Sequence, residues 1–249
     1  MTDWLELRGQ TALVTGAALR LGRFIALALA REGVSVAVHY RSSEAEAESL
    51  ADEIRGLGVN AWTVQADLAR PEDAGLLVNR AVEETGGLDI LVNSAGIFHE
   101  TDFSGTTAAA VHENVDINAL SPLYAARAFA AQGRPGAVVN LLDTMIADYD
   151  RKHVPYHLSK RMLFTLTRMM AVEFAPSIRV NAVAPGLVLP PPGRDHSYLE
   201  GLAHTNPLNR FGSGDGVAQA VLFLLRSGFV TGQVIYVDGG RRLRGGLYG

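Results

Sequence analysis

The 249-residue sequence contains no cysteine. Disulfides, thiol nucleophiles and zinc sites built on thiolates are therefore excluded. It also lacks a dominant charge: 22 Lys and Arg stand against 26 Asp and Glu, a net −4, so there is no basic footprint for nucleic acid or an anionic membrane. Charged residues make up only 19% and hydrophobic residues 48%, which argues against disorder as the main state. Long apolar runs are missing too. The longest, Phe24 to Ala30, falls far short of the roughly 20 residues a membrane helix needs. Met1 to Gln10 carries Asp3, Glu6 and Arg8 and shows no signal-peptide layout, so a cytoplasmic protein is expected.

What the chain does have is an alternation of short β-branched runs with longer amphipathic segments, the pattern of βαβ units around a parallel sheet. Strands are expected at Thr11–Thr15, Val34–His39, Ala61–Gln65, Leu88–Asn93, Ala137–Leu142, Ile178–Val183 and Val234–Val237. Helices are expected at Leu21–Glu32, Ser43–Leu57, Pro71–Thr85, Thr106–Gln132, Tyr156–Phe174 and Val217–Leu225. Asn118, Ser121 and Pro122 predict a kink or break in the fourth of these. The stretch from Pro185 to Phe211, rich in Pro and Gly, reads as irregular chain, and such a stretch in an α/β protein is more often a functional flap than slack. With no repeat, linker or low-complexity tract, residues 1–249 read as one domain, with a substrate flap at about 187–205.

The first strand runs into Thr15-Gly16-Ala17-Ala18-Leu19-Arg20-Leu21-Gly22. Glycine lets the backbone turn tightly and approach a pyrophosphate, while the following helix presents free N–H groups and the positive end of its dipole. Arg20 stands where a dinucleotide fingerprint often carries another Gly, and would place a cation beside the phosphates. After the second strand, where an NAD site needs a carboxylate for the ribose 2′-OH, the chain reads His39-Tyr40-Arg41-Ser42-Ser43. Arg and Ser suit a 2′-phosphate, so NADP(H) is expected over NAD(H). Asp67 and Leu68, at the end of the third strand, are placed to meet the adenine edge.

Tyr156 and Lys160 lie four residues apart and so share a helix face, where a cation favours the phenolate and would lower the Tyr pKa. A Tyr-x-x-x-Lys alone is common. Joined to the glycine turn, to Asn93-Ser94-Ala95-Gly96 after the fourth strand, to Asn118, and to Pro185-Gly186 after the sixth, it resembles the short-chain dehydrogenase/reductase family over nearly the whole chain. The resemblance implies an α/β Rossmann doubly wound fold with a seven-stranded parallel sheet. It implies that Tyr156 donates the proton, that Lys160 binds the nicotinamide ribose and tunes Tyr156, and that Asn118 holds a relay water. Gly16, Arg20 and Leu21 would meet the cofactor at the turn, as would Asn93, Ala95 and Gly96 beside it and Pro185, Gly186 and Val188 at the carboxamide.

One position departs from the family at large. Thirteen residues before the Tyr, where most members carry Ser, this chain has Asp143. An ionised carboxylate there would repel the oxyanion of a ketone accepting hydride, unless it stays protonated, whereas a C=N substrate gains electron density on nitrogen and needs a proton. Asp143 is shared with pteridine reductases and bacterial dihydromonapterin reductases, which the chain resembles further in Arg20, in His39 to Ser42, in Phe98 and in the segment Val237 to Arg244. That likeness implies NADPH-dependent reduction of a dihydropterin or dihydrofolate, with Arg20, Phe98, Asp143 and Tyr156 on the substrate and Phe98 stacking the pterin against the nicotinamide. A 3-oxoacyl or quinone reductase of the same family is the alternative, and a homotetramer is implied. Simpler roles stand beside these: Arg41 as a solvated loop charge, Phe98 as a packing aromatic, Asp143 as a cap for Thr144 to Ile146, and Arg20 in a surface ion pair. His153, His157, His196 and His204 lack metal-ligand spacing and read as loop or solvent histidines, so no metal is expected. Arg241 to Arg244 reads as a tail for solubility or subunit contact.

Overall fold

The structure is a computed structural model that describes residues 4–191 and 193–243. Seven parallel strands, β1 (Thr11–Thr15), β2 (Ser35–Tyr40), β3 (Ala61–Gln65), β4 (Ile90–Asn93), β5 (Gly136–Leu141), β6 (Ile178–Pro185) and β7 (Val234–Val237), form one sheet in the order β3-β2-β1-β4-β5-β6-β7. Strand order reverses between β1 and β4, which opens a crevice at the carboxyl ends of those strands. The strand period of two sorts the core into two faces. Ala12, Val14, Val36, Val38, Ile90 and Val92 point to one, under α1 (Arg20–Arg31), α2 (Glu44–Gly56) and α8 (Gly214–Arg226). Leu13, Ala37, Leu91 and Val138 point to the other, under α3 (Pro71–Thr85), α5 (Ser121–Ala130) and α6 (Val154–Glu173). Burial on both faces explains why these strands read as continuous apolar runs.

Element ends shift where side chains compete for the backbone. Leu88, expected to open β4, instead donates its N–H to the Gln132 side-chain oxygen at 2.9 Å, so the ladder starts later. The expected break near Asn118 takes the form of a π-helical turn over Asp116–Leu120. It joins α4 (Ala108–Val115), N-capped by the Thr107 hydroxyl, to α5 without leaving the helical region, and Pro122 lies just beyond the π turn.

The Pro185–Phe211 stretch is more ordered than its composition suggests. A short helix, α7 (His196–Leu202), starts on the Asp195 carboxylate, which accepts the Ser197 N–H at 3.0 Å, and a 3-10 turn follows over Ala203–Thr205. Leu199 is the one buried residue of α7, so this helix is set by its cap and a single anchor, with too few apolar positions to show a period. Among the described residues no helix is long and apolar enough to cross a membrane.

Candidate active site

At the carboxyl ends of the strands lies a cavity of about 640 Å³. Its walls include Gly16, Arg20, Leu21, His39, Arg41, Asp67, Leu68, Ala95, Gly96, Phe98, Asp143, Tyr156, Lys160, Pro185, Gly186 and Val188, all of them residues that the sequence singled out. Four others do not line it. Tyr40 and Ser42 lie off the cavity, Asn93 donates to the Asn140 side chain at 2.9 Å inside the sheet, and Asn118 is wholly buried.

The glycine turn is held from beneath. Gly16 sits at φ +63°, where an added Cβ would come within 2.9 Å of Ala95 Cα, and Thr15 Oγ1 accepts the N–H groups of Ser94 and Ala95 at 3.0 Å each. His39 is the second pin. Its Nδ1 accepts the Gly16 N–H at 2.9 Å, its Nε2 lies 3.2 Å from the Ala66 carbonyl oxygen, and burial pushes its pKa down to about 4. The imidazole is thus neutral, with the proton on Nε2, and holds the turn instead of offering charge to a phosphate. Leu19, the N-cap of α1, provides no side-chain acceptor, so the first N–H groups of α1 keep their capacity for an anion. Arg41 lines the cavity with its carbonyl fixed by Gln65 at 3.0 Å. Among the described residues no carboxylate pairs with its guanidinium, so the turn, the helix end and Arg41 fit a phosphorylated dinucleotide.

Arg20 does something the sequence did not foretell. It occupies the left-handed region at φ +55°, a conformation costing about 1–2 kcal/mol for a residue with a Cβ. Its guanidinium donates to the Pro190 carbonyl at 2.9 Å, tying the segment after β6 to the glycine turn.

The second half of the cavity is built on Asp143, at the end of β5. One carboxylate oxygen accepts the Met145 N–H at 2.8 Å and caps the 3-10 turn Thr144–Ile146; the other accepts the Tyr156 hydroxyl at 2.9 Å. The capping bond and the bond to Tyr156 therefore coexist in one side chain. Lys160 donates to the Leu141 carbonyl at 2.7 Å, and burial pushes its pKa down to about 8. The expected lowering of the Tyr156 pKa is not what this arrangement does: burial, and then the Asp143 carboxylate, hold the phenol well above its ordinary range, while the ammonium lies 5.8 Å from the ring centroid. Tyr156 is a protonated donor here.

The Asn118 side chain is engaged with the loop beside it. Its amide takes the Ile97 N–H at 2.9 Å and donates to the Ile97 carbonyl at 3.1 Å and to Ser159 at 3.0 Å, so the side chain clamps the loop before Phe98 and has no bond to Lys160 or Tyr156. Gly96 leaves room for that clamp, since a Cβ there would sit 2.9 Å from the Asn118 oxygen.

His153 and His157, read as loop or solvent histidines, are both buried. His153 Nδ1 lies 2.8 Å from Asp150, and His157 Nε2 accepts the Asp150 N–H at 3.1 Å. Burial by itself would raise the Asp150 pKa, but hydrogen bonds, that from His153 foremost, hold it well below the usual carboxylate range. Among the described residues these three are the one His and carboxylate group close enough for a metal, and their mutual hydrogen bonds account for the clustering. The His153 ring stacks flat on Phe98, with centroids 4.1 Å apart, and Phe98 meets Tyr156 edge to face at 4.7 Å. No sequence pattern reports this pile of rings, because His153 and Phe98 come together only through the parallel bridge of Thr101 to His153.

The family model described as enoyl-(acyl carrier protein) reductase matches residues 16–242. A 3-oxoacyl-[acyl-carrier-protein] reductase of Staphylococcus aureus is 34% identical, over 93% of this chain and 97% of its own. The chain belongs to the short-chain dehydrogenase/reductase family. It is accordingly an NAD(P)-dependent oxidoreductase. Among solved structures it is similar to alternative dihydrofolate reductase 1 from Brucella canis complexed with NADP, with a TM-score of 0.90, 32% identity, and coverage of 98% of this chain and 97% of that one. It is also similar to the angucycline C-6 ketoreductase LanV with bound NADP, with a TM-score of 0.88, 30% identity, and coverage of 96% and 97%.

Proposed function

We propose that this short-chain oxidoreductase reduces a C=N bond of a pteridine substrate, a dihydropterin or dihydrofolate, with NADPH. The observation that carries the reading is the hydrogen bond from the Tyr156 hydroxyl to Asp143. Most family members place a hydroxyl donor at position 143, where it steadies a carbonyl oxygen as negative charge develops. This chain puts a carboxyl there. A ring nitrogen that gains electron density needs a proton more than it needs a neutral donor, and Asp143 with Tyr156 forms a linked pair able to deliver one.

The dinucleotide, when bound, supplies the hydride. Gly16, Leu21 and the start of α1 would hold its pyrophosphate, Arg41 its 2′-phosphate, Asp67 and Leu68 the adenine edge, and Lys160, Ala95, Gly96, Pro185, Gly186 and Val188 the nicotinamide end. Phe98, braced by His153, offers an aromatic wall for a flat heterocycle beside Tyr156. Tyr156 swings its single hydroxyl proton from Asp143 to the reacting nitrogen and donates it there, and charged Lys160 steadies the phenolate left behind. The flap, about 187–205 with residue 192 outside the described residues, excludes water over the site, anchored through Arg20 to Pro190. The likeness to alternative dihydrofolate reductase 1 from Brucella canis supports this reading. A cytoplasmic homotetramer remains part of it, carried by the family likeness.

Carbonyl reduction is the second reading, favoured by the 3-oxoacyl reductase and ketoreductase relatives. Steady-state NADPH oxidation against dihydropterins and against a panel of 3-oxoacyl thioesters and quinones separates the two. Turnover of dihydropterin is expected. Fast ketone turnover with inactive pterins would replace the first reading by the second.

A further inference from the structure

Arg241 was expected in a tail for solubility or subunit contact, and the structure puts it in the wall of the active-site cavity. The turn that carries it is firmly built. The Asp238 carboxylate accepts the Thr144 hydroxyl at 2.7 Å, the Gly240 N–H at 2.9 Å and the Arg242 N–H at 3.1 Å, while the Arg241 N–H donates to the Asp238 carbonyl at 3.1 Å. Thr144 directly follows Asp143, so the bonds that place Arg241 begin beside the reacting pair. The neighbouring Arg242 is spent on the Tyr236 ring, 4.1 Å from its centroid. Arg244 lies outside the described residues.

The other cations of the cavity have assignments. Lys160 donates to Leu141 and Arg20 to Pro190, and Arg41 sits with the cofactor turn. Arg241 has no carboxylate partner among the described residues. Nor are the cofactor's phosphates placed to serve it. The glycine turn follows β1 and Arg241 follows β7, four strands away across the sheet, or roughly 19 Å at the usual inter-strand spacing. We infer that Arg241 forms an anion subsite for the substrate, so that the physiological substrate carries a carboxylate or phosphate tethered to its reducible group. Two sources share this chemistry: the glutamate of a folate, and the phosphates of a pantetheine thioester. The inference rests on the reductase reading of the cavity and not on the choice of a pteridine.

The test uses matched pairs of probes with the NADP-loaded protein. Dihydrofolate is paired with dihydrobiopterin, which lacks the carboxylates, and acetoacetyl-CoA with ethyl acetoacetate, which lacks the phosphates. Binding is measured by calorimetry and KM by NADPH oxidation, in wild type, R241Q and R241K. In one pair, R241Q is expected to weaken the anionic member about 10- to 100-fold, the range for a lost charge-assisted bond, and to move its neutral partner far less. R241K is expected to keep most of the difference. Wild-type preference for the anionic member should also shrink as salt is raised, a readout available even if R241Q fails to fold. A split confined to the pterin pair supports both readings. A split confined to the ketone pair keeps the subsite and removes the pteridine. Equal effects on both members of each pair, no effect, a preference insensitive to salt, or no binding of either anionic probe overturns the subsite.

Discussion

The glycine turn and the Asp143 corner share one cavity yet are held in opposite ways. At the turn, polar groups satisfy one another: Thr15 takes two N–H groups, and neutral His39 bridges Gly16 to Ala66. At the corner, ionisable groups are buried and their protonation is shifted, with Tyr156 held protonated and Lys160 brought down to about 8. The contrast teaches that binding a cofactor calls for a rigid backbone with free N–H groups, whereas moving a proton calls for side chains whose protonation can change. Disturbing the turn should therefore cost stability or cofactor affinity, and disturbing the corner should cost rate.

The sharpest test is Tyr156→Phe. Turnover should drop by on the order of 10² to 10⁴, the usual worth of a positioned proton donor, with NADPH affinity by fluorescence titration little changed. Equal loss of both would erase the contrast. Next comes His39, whose pKa of about 4 in the folded chain lies below the ordinary 6.5. As pH falls between those values the unfolded chain takes up the proton first, so stability falls toward acid by about 3 kcal/mol. Urea unfolding at pH 4 to 7 should show this slope and His39→Gln should flatten it; an unchanged slope would remove His39 as the pin.

Asp143→Ser should lower dihydropterin reduction about tenfold to a hundredfold, and lower any ketone activity less or raise it. The opposite ranking in paired kcat/KM measurements would take Asp143 out of the proposed chemistry. The smallest effect is on pH dependence. Because burial places Lys160 near 8, kcat/KM should fall to half its plateau as pH rises through about 8, when the ammonium loses its proton. A profile flat to pH 10 would show that the corner does not use that charge.

The seven strands and the helices around them were legible because each buries enough apolar residues to impose a period of two or near four. α7 was not legible, since one buried Leu and a capping Asp leave no period to read. Of the candidate site, Gly16, Ala95, Gly96, Pro185 and Gly186 were found through short motifs at the strand ends, whereas Asp150, Tyr198 and Arg241 line the cavity without having been read as site residues. Asn93 and Asn118 belong to the same motifs, and yet their amides are consumed by Asn140 and Ile97. A motif names a position; it does not say whether the side chain there faces the cavity or the core.

The sequence alone determined the parallel αβ order, the glycine turn, the Tyr156 and Lys160 pair on one helix face and the absence of thiol chemistry, because these depend on residue type and on spacings within one or two elements. Tertiary structure decided the rest: that His39 is neutral, that Asp143 both caps and accepts from Tyr156, that Arg20 bonds the Pro190 carbonyl, and that Arg241 reaches the cavity. Each of these joins residues brought together only by the packing of the sheet and its loops, and protonation follows burial, which no local pattern encodes.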